Sequence, residues 1–364
     1  MHIRKSTELY EEWLRKQLTL IPKDLTRKHK EMAHDAFSFL RATFYRWIQC
    51  WPEICAEEND APRVLGIGDV HVENLGTWRD ADGRLIWGVN DFDEAYELPY
   101  THDLTRLATS AHIAIRMSKL SITSGDACRA ILNGYRSALK DGGEPFVLEE
   151  KHGWLRTTVT GELRDPVHFW RKMDALKTLR GDPPAGARKA IERLLPGSSR
   201  DFRWVHRIAG LGSLGRERVA AIVEHEGGKM AREAKALAAS ACVWAMNEKG
   251  SKRILYKRVL KDSVRAEDPF LQVKERWIVR RLSPHCCRVE LTSLPQARDE
   301  KKLLESMGFE VGNVHVGTAE SSSKIERDLG KRNSAWLHAA AEKMLKQNTL
   351  DHKDWRQRLK AGTA

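Results

Sequence analysis

The sequence has no apolar run approaching the roughly 18 residues that a membrane-spanning helix needs, which excludes a spanning segment of that kind. Its opening stretch, MHIRKSTELYEEW, lacks the apolar core of a secretory leader, so cytoplasmic residence is the expectation. Cysteine is sparse: six in 364 residues, with no CxxC pair. Cys286 and Cys287 are adjacent and poorly placed for a framework of bridges, so Cys50, Cys55, Cys128, Cys242, Cys286 and Cys287 are expected as reduced thiols. There is no internal repeat and no low-complexity tract. What remains is ordinary globular composition, 41% hydrophobic and 31% charged. A chain of 364 residues can bury about 75% of its unfolded surface, enough for two packed lobes or one large domain. Lys and Arg outnumber Asp and Glu by 62 to 50, a formal charge of +12. The basic residues are spread along the chain and mixed with acids, so nucleic acid is not expected as a partner; a polyanion such as a nucleotide would be welcome.

The first sixty residues read as helices, because apolar positions in EEWLRKQLTLIP and HDAFSFLRATFYRWI recur at three- and four-residue steps. A strand is expected at Val64 to Gly68. A hairpin follows, Leu75 to Trp78 and Leu85 to Val89, turned at Asp80-Ala81-Asp82-Gly83. Helix resumes from His102 to about Leu139. Gly181 to Gly186 and Pro196 to Ser199 read as loops, the second as a boundary. Between Phe202 and Val289 the texture is β-like, with runs at Val219 to Val223, Arg253 to Tyr256 and Trp277 to Val279. After Pro295 the chain reads as helical to a charged, alanine-rich tail. The expected fold is α+β: a helical segment with an embedded hairpin over 1–195, a β-rich segment over 196–295, and helices over 296–364.

The chemistry concentrates in Gly66-Ile-Gly-Asp-Val-His-Val-Glu-Asn74 and Val89-Asn-Asp-Phe-Asp-Glu-Ala95. Phosphoryl transfer needs a carboxylate to orient the nucleophile and oxygen ligands that hold Mg²⁺ against the phosphates. Asp69 and Asn74 lie five apart on one loop, and the return strand of the hairpin would bring Asp91 beside Asn74. That arrangement offers one base and two metal ligands. Downstream, Gly210-Leu-Gly-Ser-Leu-Gly215 fits G-x-G-x-x-G, a turn through which backbone N–H groups can approach phosphate. The Gly227-Gly228 pair points to a β-hairpin after it, with a helix through Arg216 to Glu224 as the alternative. A kinase needs a lysine on the third strand to meet the phosphates, and Lys235 lies at about the right distance along the chain from the glycine turn; Lys274 has a more strand-like setting but sits too far along.

GDVHVEN resembles the catalytic loop GDxHxxN of aminoglycoside phosphotransferases and choline kinases. NDFDEA resembles their metal motif, and Leu98-Pro-Tyr-Thr-His-Asp-Leu-Thr-Arg-Leu-Ala108 resembles the P-x-x-x-D-L-A segment whose Asp steadies the loop. The resemblance implies Asp69 as catalytic Asp, Asn74 and Asp91 as Mg²⁺ ligands, and Asp103 as support. With Phe37-Ser-Phe-Leu-Arg41, GLGSLGR and REAKA, the arrangement resembles domain-of-unknown-function family 2252 over about residues 28 to 320. This implies a kinase-like fold with its two lobes in swapped order. The nucleotide would then be ATP, held by Gly210, Gly212, Ser213, Gly215 and Lys235, with His71, Asp93 and Arg41 supporting.

Each residue also has a plainer role available. Asp69, Asn74, Asp91 and Asp93 could be loop and strand-end residues, Glu94 a solvated or helix-capping carboxylate, and His315 a packing histidine. Arg41, Arg216, Arg280 and Arg281 could bind phosphate or pair on a mixed surface, and the twelve tryptophans are expected in the core. The expected activity is ATP- and Mg²⁺-dependent phosphoryl transfer to an unknown small-molecule hydroxyl. Nucleotidyl transfer, a metal-dependent phosphoesterase and a nucleotide-binding regulator without turnover are the alternatives.

Overall fold

The computed structural model describes residues 1–118, 120–149, 151–159, 165–196, 202–248, 250–286 and 299–360. The expected boundary at Pro196 to Ser199 falls largely outside them, as do Cys287, Val289 and Pro295. The chain opens with helices α1 (Ile3–Arg15), α2 (Pro22–Met32), α3 (Ala36–Ala42), α4 (Phe44–Ile54) and α5 (Ala56–Asn59). Strands β1 (Arg63–Gly66), β2 (Leu75–Arg79), β3 (Leu85–Val89) and β4 (Tyr96–Pro99) lead to helices α6 (Tyr100–Ser118) and α7 (Ser124–Asp141). Strand β5 (Phe146–Val147) and helices α8 (Gly153–Val159), α9 (Pro166–Asp174) and α10 (Ala185–Glu192) follow. Then come β6 (Arg203–His206), β7 (Arg218–His225), β8 (Gly228–Ala236), α11 (Ala241–Ala245), α12 (Tyr256–Asp262), β9 (Gln272–Lys274) and β10 (Trp277–Leu282). Helices α13 (Asp299–His315), α14 (Ser321–Leu329) and α15 (Trp336–Lys360) close the described chain. None of the described helices is long and apolar enough to cross a membrane.

Local chemistry sets several of these boundaries. Asp35 caps α3 by accepting hydrogen bonds from the Phe37 and Ser38 amides, both at 2.8 Å. Thr123 caps α7, which ends at Gly142 in the left-handed region. β2 and β3 pair antiparallel from Leu75 opposite Val89 to Arg79 opposite Leu85, with β5 added beside β3. β1 pairs separately with β4. The largest sheet is antiparallel throughout, in the order β6-β7-β8-β10-β9.

Residues 218–225 form a strand rather than the alternative helix, and the core shows why. Val219, Ala221 and Val223 face the apolar cluster built with α1, α3, α4 and α10, whereas Ala220 and Ile222 pack with Met173, Phe169 and Trp170 on α9. A strand buried on both faces reads as one continuous apolar run. The strand expected at Arg253 to Tyr256 is absent: Tyr256 opens α12, fully buried and edge-on to Phe92 at 5.7 Å. Helix α13 lies along α7, where a Cβ on Gly134 would run into the Glu305 carbonyl and one on Gly308 into the Ile131 carbonyl. This close approach carries His315, at the end of α13, to the start of α6.

Candidate active site

The loop between β1 and β2 carries Asp69, His71 and Asn74. Gly68 has φ +80°, and a side chain there would strike the Glu94 carbonyl, so only glycine lets this loop lie against the segment after β3. Asp103, in the first turn of α6, accepts from the amides of Ile67 at 2.6 Å and Gly68 at 3.0 Å. Its carboxylate also meets His102 Nδ1 at 3.2 Å and His315 Nε2 at 3.0 Å, and His315 Nδ1 lies 2.9 Å from the Tyr135 hydroxyl. Burial works against ionising Asp103, but the bonds to His102 and His315 outweigh it and hold its carboxyl well below the usual range. His315 is therefore buried and fully bonded, and it braces the residue that grips the loop.

One turn further along α6, Arg106 donates from Nε to Asp69 Oδ1 at 2.8 Å, and its Nη2 donates to the same oxygen. Nη2 also reaches the Leu40 carbonyl at 2.9 Å, and the guanidinium lies 5.0 Å from the Phe44 ring and 4.8 Å from the Trp47 ring. Burial raises the Asp69 carboxyl, opposed by Arg106. Asp69 Oδ2 is turned to the glycine turn, since a Cβ on Gly212 would sit 3.4 Å from it. Asn74 joins the two acidic loops: its Nδ2 donates to the Asp69 carbonyl at 3.1 Å and the Asp91 carbonyl at 3.0 Å. His71 Nδ1 accepts from the Glu73 amide at 3.2 Å, and Glu73 pairs with Arg41.

Lys235 sits on β8, between Arg218 of β7 and Ile278 of β10, with 1% of its surface exposed. Its Nζ donates to Asp91 Oδ2 at 2.8 Å and Asp93 Oδ2 at 2.6 Å. Its partners among the described residues are thus aspartates. Burial disfavours the Asp91 carboxylate, but Lys235 and Arg280 overcome it and lower the carboxyl, while burial and neighbouring Asp91 raise Asp93. Glu94 is not solvated. It accepts from the Ala241 amide at 2.6 Å, from Ser240 Oγ at 3.0 Å and from Arg216 at 3.2 Å, so it caps α11 from inside.

The glycine turn, with Gly210 at φ 71° and Gly215 at φ 102°, follows β6 and precedes β7. Lys28 of α2 donates to the Gly212 carbonyl at 2.9 Å, and Arg218 Nη2 donates to Ser213 Oγ at 2.8 Å. Burial lowers the Lys28 ammonium to about 8.

Asp69, His71, Asn74, Asp91, Asp93, Arg41, Gly210, Gly212 and Ser213 line one cleft of about 250 Å³. Gly215, Lys235 and Asp103 stand behind this lining, and Lys274, on β9, is outside it. Lys28, Arg207, Arg216, Arg218, Arg265, Arg280 and Arg281 add positive charge to the walls. Arg280 Nε and Nη2 and Arg216 Nε are buried donors without a hydrogen-bond partner among the described residues. Arg281 donates to the Arg79 carbonyl at 3.0 Å. Unspent guanidinium donors beside hard oxygen donors from Asp69, Asn74 and Asp91 fit a polyphosphate carrying Mg²⁺.

Sequence reasoning missed Lys28, Arg106 and the pairing of Glu94 with Arg216. Arg106 had a signal, since it lies three residues beyond Asp103 on one helix face. Lys28 had none.

Fold and site together define an α+β protein with one acidic-loop cleft walled by arginines. The family described as an uncharacterized protein conserved in bacteria, DUF2252, matches residues 20–167, which contain both acidic loops and Asp103 but not the glycine turn or Lys235. No curated protein and no solved structure matches the chain.

Proposed function

We propose that the protein is an ATP- and Mg²⁺-dependent phosphotransferase acting on a small-molecule hydroxyl, with the parts of a kinase site supplied in permuted order. The observation that carries this reading is the reach of Lys235, on the third strand of the five-stranded sheet, to Asp91 and Asp93. Kinases place a glycine-rich turn over the phosphates and a lysine on the third strand of the sheet. Here the turn lies between the first and second strands of the sheet, and the lysine lies on the third.

In this reading Asp69 Oδ2 accepts a hydrogen bond from the acceptor hydroxyl, while Arg106 holds Oδ1 and fixes the carboxylate plane. Asn74 and Asp91 would hold Mg²⁺, which neutralises charge on the phosphates. Arg280 would orient the phosphates, Lys235 holds Asp91 and Asp93 from behind the lining, and the backbone of Gly210 to Ser213 covers the phosphates. A phosphoesterase with two metals draws on clustered His and carboxylate ligands. Among the described residues no three such ligands of the cleft have their ligating atoms all within 4.8 Å of one another, so that reading has less support.

Incubation with ATP labelled separately at the α- and γ-phosphates, across a panel of hydroxyl acceptors, tests the proposal. Transfer of γ-label alone, lost in Asp69→Asn, is the expected result. Transfer of α-label would replace phosphoryl with nucleotidyl transfer, and label released only as free phosphate without an acceptor would reject both.

A further inference from the structure

Nine residues beyond Asp103 on α6, away from the cleft lining, His112 meets side chains from two other helices. His112 and Cys128 of α7 are buried, His338 of α15 is partly buried, and one ligand-capable atom from each lies within 4.8 Å of the other two. His112 Nε2 stands 3.2 Å from both Cys128 Sγ and the Ser124 carbonyl oxygen. On the opposite edge of the ring, His112 Nδ1 lies 3.0 Å from Glu342 Oε1. Glu342 follows His338 by one helical turn, and Arg116 donates to both its oxygens at 2.8 Å. His338 Nδ1 is buried and makes no hydrogen bond among the described residues.

We propose that this cluster is a zinc site, with His112 Nε2, Cys128 Sγ and a ring nitrogen of His338 as ligands, Glu342 as the carboxylate behind His112, and water in the fourth position. Two imidazoles and a thiol are borderline-to-soft donors, which suit Zn²⁺ and not the Mg²⁺ of the cleft. With Zn–S of about 2.3 Å and Zn–N of about 2.0 Å, tetrahedral ligands stand roughly 3.5 Å apart. The cluster therefore needs at most about 1.3 Å of contraction between ligand atoms, within reach of small χ adjustments. A metal-bound histidine commonly turns its other ring nitrogen to a carboxylate, and Glu342 Oε1 lies 3.0 Å from His112 Nδ1, although the ring N–H is not aligned on it as a hydrogen bond.

Burial disfavours charging His112 and so keeps its ring in the neutral, ligating form. Burial also pushes the Cys128 thiol up to about 12, so it binds by losing its proton to bulk water as the Zn–S bond forms. The ion would pin α15 to α6 and α7, and α6 is the helix that presents Asp103 and Arg106 to the Asp69 loop.

The test uses the full chain, stripped of metal and titrated with Co²⁺ as a spectroscopic probe, then with Zn²⁺ in competition. The proposal expects one equivalent to give tetrahedral d–d bands and a thiolate charge-transfer band, both displaced by Zn²⁺. Cys128→Ser and His338→Ala should abolish these bands while circular dichroism stays unchanged. Glu342→Gln, at a half-exposed position, should keep the spectrum and weaken affinity by about 10- to 100-fold. Should Cys128→Ser alone lose its fold, His338→Ala and Glu342→Gln still decide the matter. A weak octahedral spectrum in the unmodified chain, or equal Co²⁺ affinity in His338→Ala and Glu342→Gln, would overturn it.

Discussion

Replacing Arg106 with Met keeps much of the side-chain volume but removes the guanidinium that holds Asp69 Oδ1. Arg106 is fully buried, and 19% of the Asp69 side chain is exposed. Breaking such a pair from one side leaves an uncompensated charge, which costs about 3–5 kcal/mol in a dry interior. The partial exposure of Asp69 points to the lower end. Against that, the Leu40 carbonyl loses its donor, and the contacts with Phe44 and Trp47 weaken. The net expectation is about 3–4 kcal/mol. An unfolding entropy of about 2.1 cal/mol/K per residue over 364 residues converts this to a Tm loss of roughly 4–5 °C. The loss should depend on pH, with a sign that follows from burial. Without Arg106 the Asp69 carboxyl rises further above its unfolded value. The folded state then holds the proton more tightly, and the penalty for a buried carboxylate grows as pH rises. Arg106→Met should therefore cost more at pH 8 than at pH 5. Calorimetric melts of the single and double variants with Asp69→Asn form the assay, because a double-mutant cycle isolates the pair. A coupling energy below about 0.5 kcal/mol, or a deficit that does not change with pH, would refute the reasoning.

Other parts of the molecule yield further tests. Asp103→Ala orphans the Ile67 and Gly68 amides and should cost about 3–5 kcal/mol in urea unfolding, with Asp103→Asn losing less because its amide oxygen still accepts. Gly134→Ala drives a methyl into the Glu305 carbonyl and should cost at least about 2 kcal/mol by the same measurement; a loss below 0.5 kcal/mol would show that α7 and α13 separate cheaply. Glu310 accepts from the Val89 amide and Asn313, yet burial raises its carboxyl to about 7. Between its unfolded value and that point the folded state binds the extra proton. Stability should thus fall by up to roughly 3 kcal/mol as pH rises from 4.5 to 7. Glu310→Gln should flatten that slope, and identical slopes in the two proteins would reject the assignment.

The hairpin was legible because local signals agree: apolar runs on both sides of Asp80-Ala81-Asp82-Gly83 and a turn that tolerates φ +78° at Gly83. The opening helices were legible from apolar spacing. Strand order was not, because β10 inserts between β8 and β9, and no local pattern records which strand a segment will pair with. Arg253 to Tyr256 misled because Ile254, Leu255 and Tyr256 are apolar for tertiary reasons. They cover the core around Phe92 as a helix start, and a short apolar run does not distinguish the two. In the site, Asp69, Asn74 and Asp91 were readable as one cluster because they are close in sequence. The contacts that fix the acids, Arg106 with Asp69 and Lys235 with Asp91, are made across 37 and 144 residues of chain and are visible only in three dimensions. Of the two roles open to Glu94, solvated or helix-capping, the structure shows the second, and the sequence does not separate them because its burial depends on Arg216 and α11, 122 and 147 residues downstream.

The central claim is that one nucleotide site is assembled from the acidic loops and from Lys235 on the sheet. Calorimetric titration with ATP, with and without Mg²⁺, on the unmodified chain, Asp91→Asn and Lys235→Ala tests it most directly. Binding that needs Mg²⁺, and that weakens by about tenfold or more (1.4 kcal/mol) in each variant, is the predicted result. Absence of ATP binding in the unmodified chain, or equal binding in all three proteins, would contradict it.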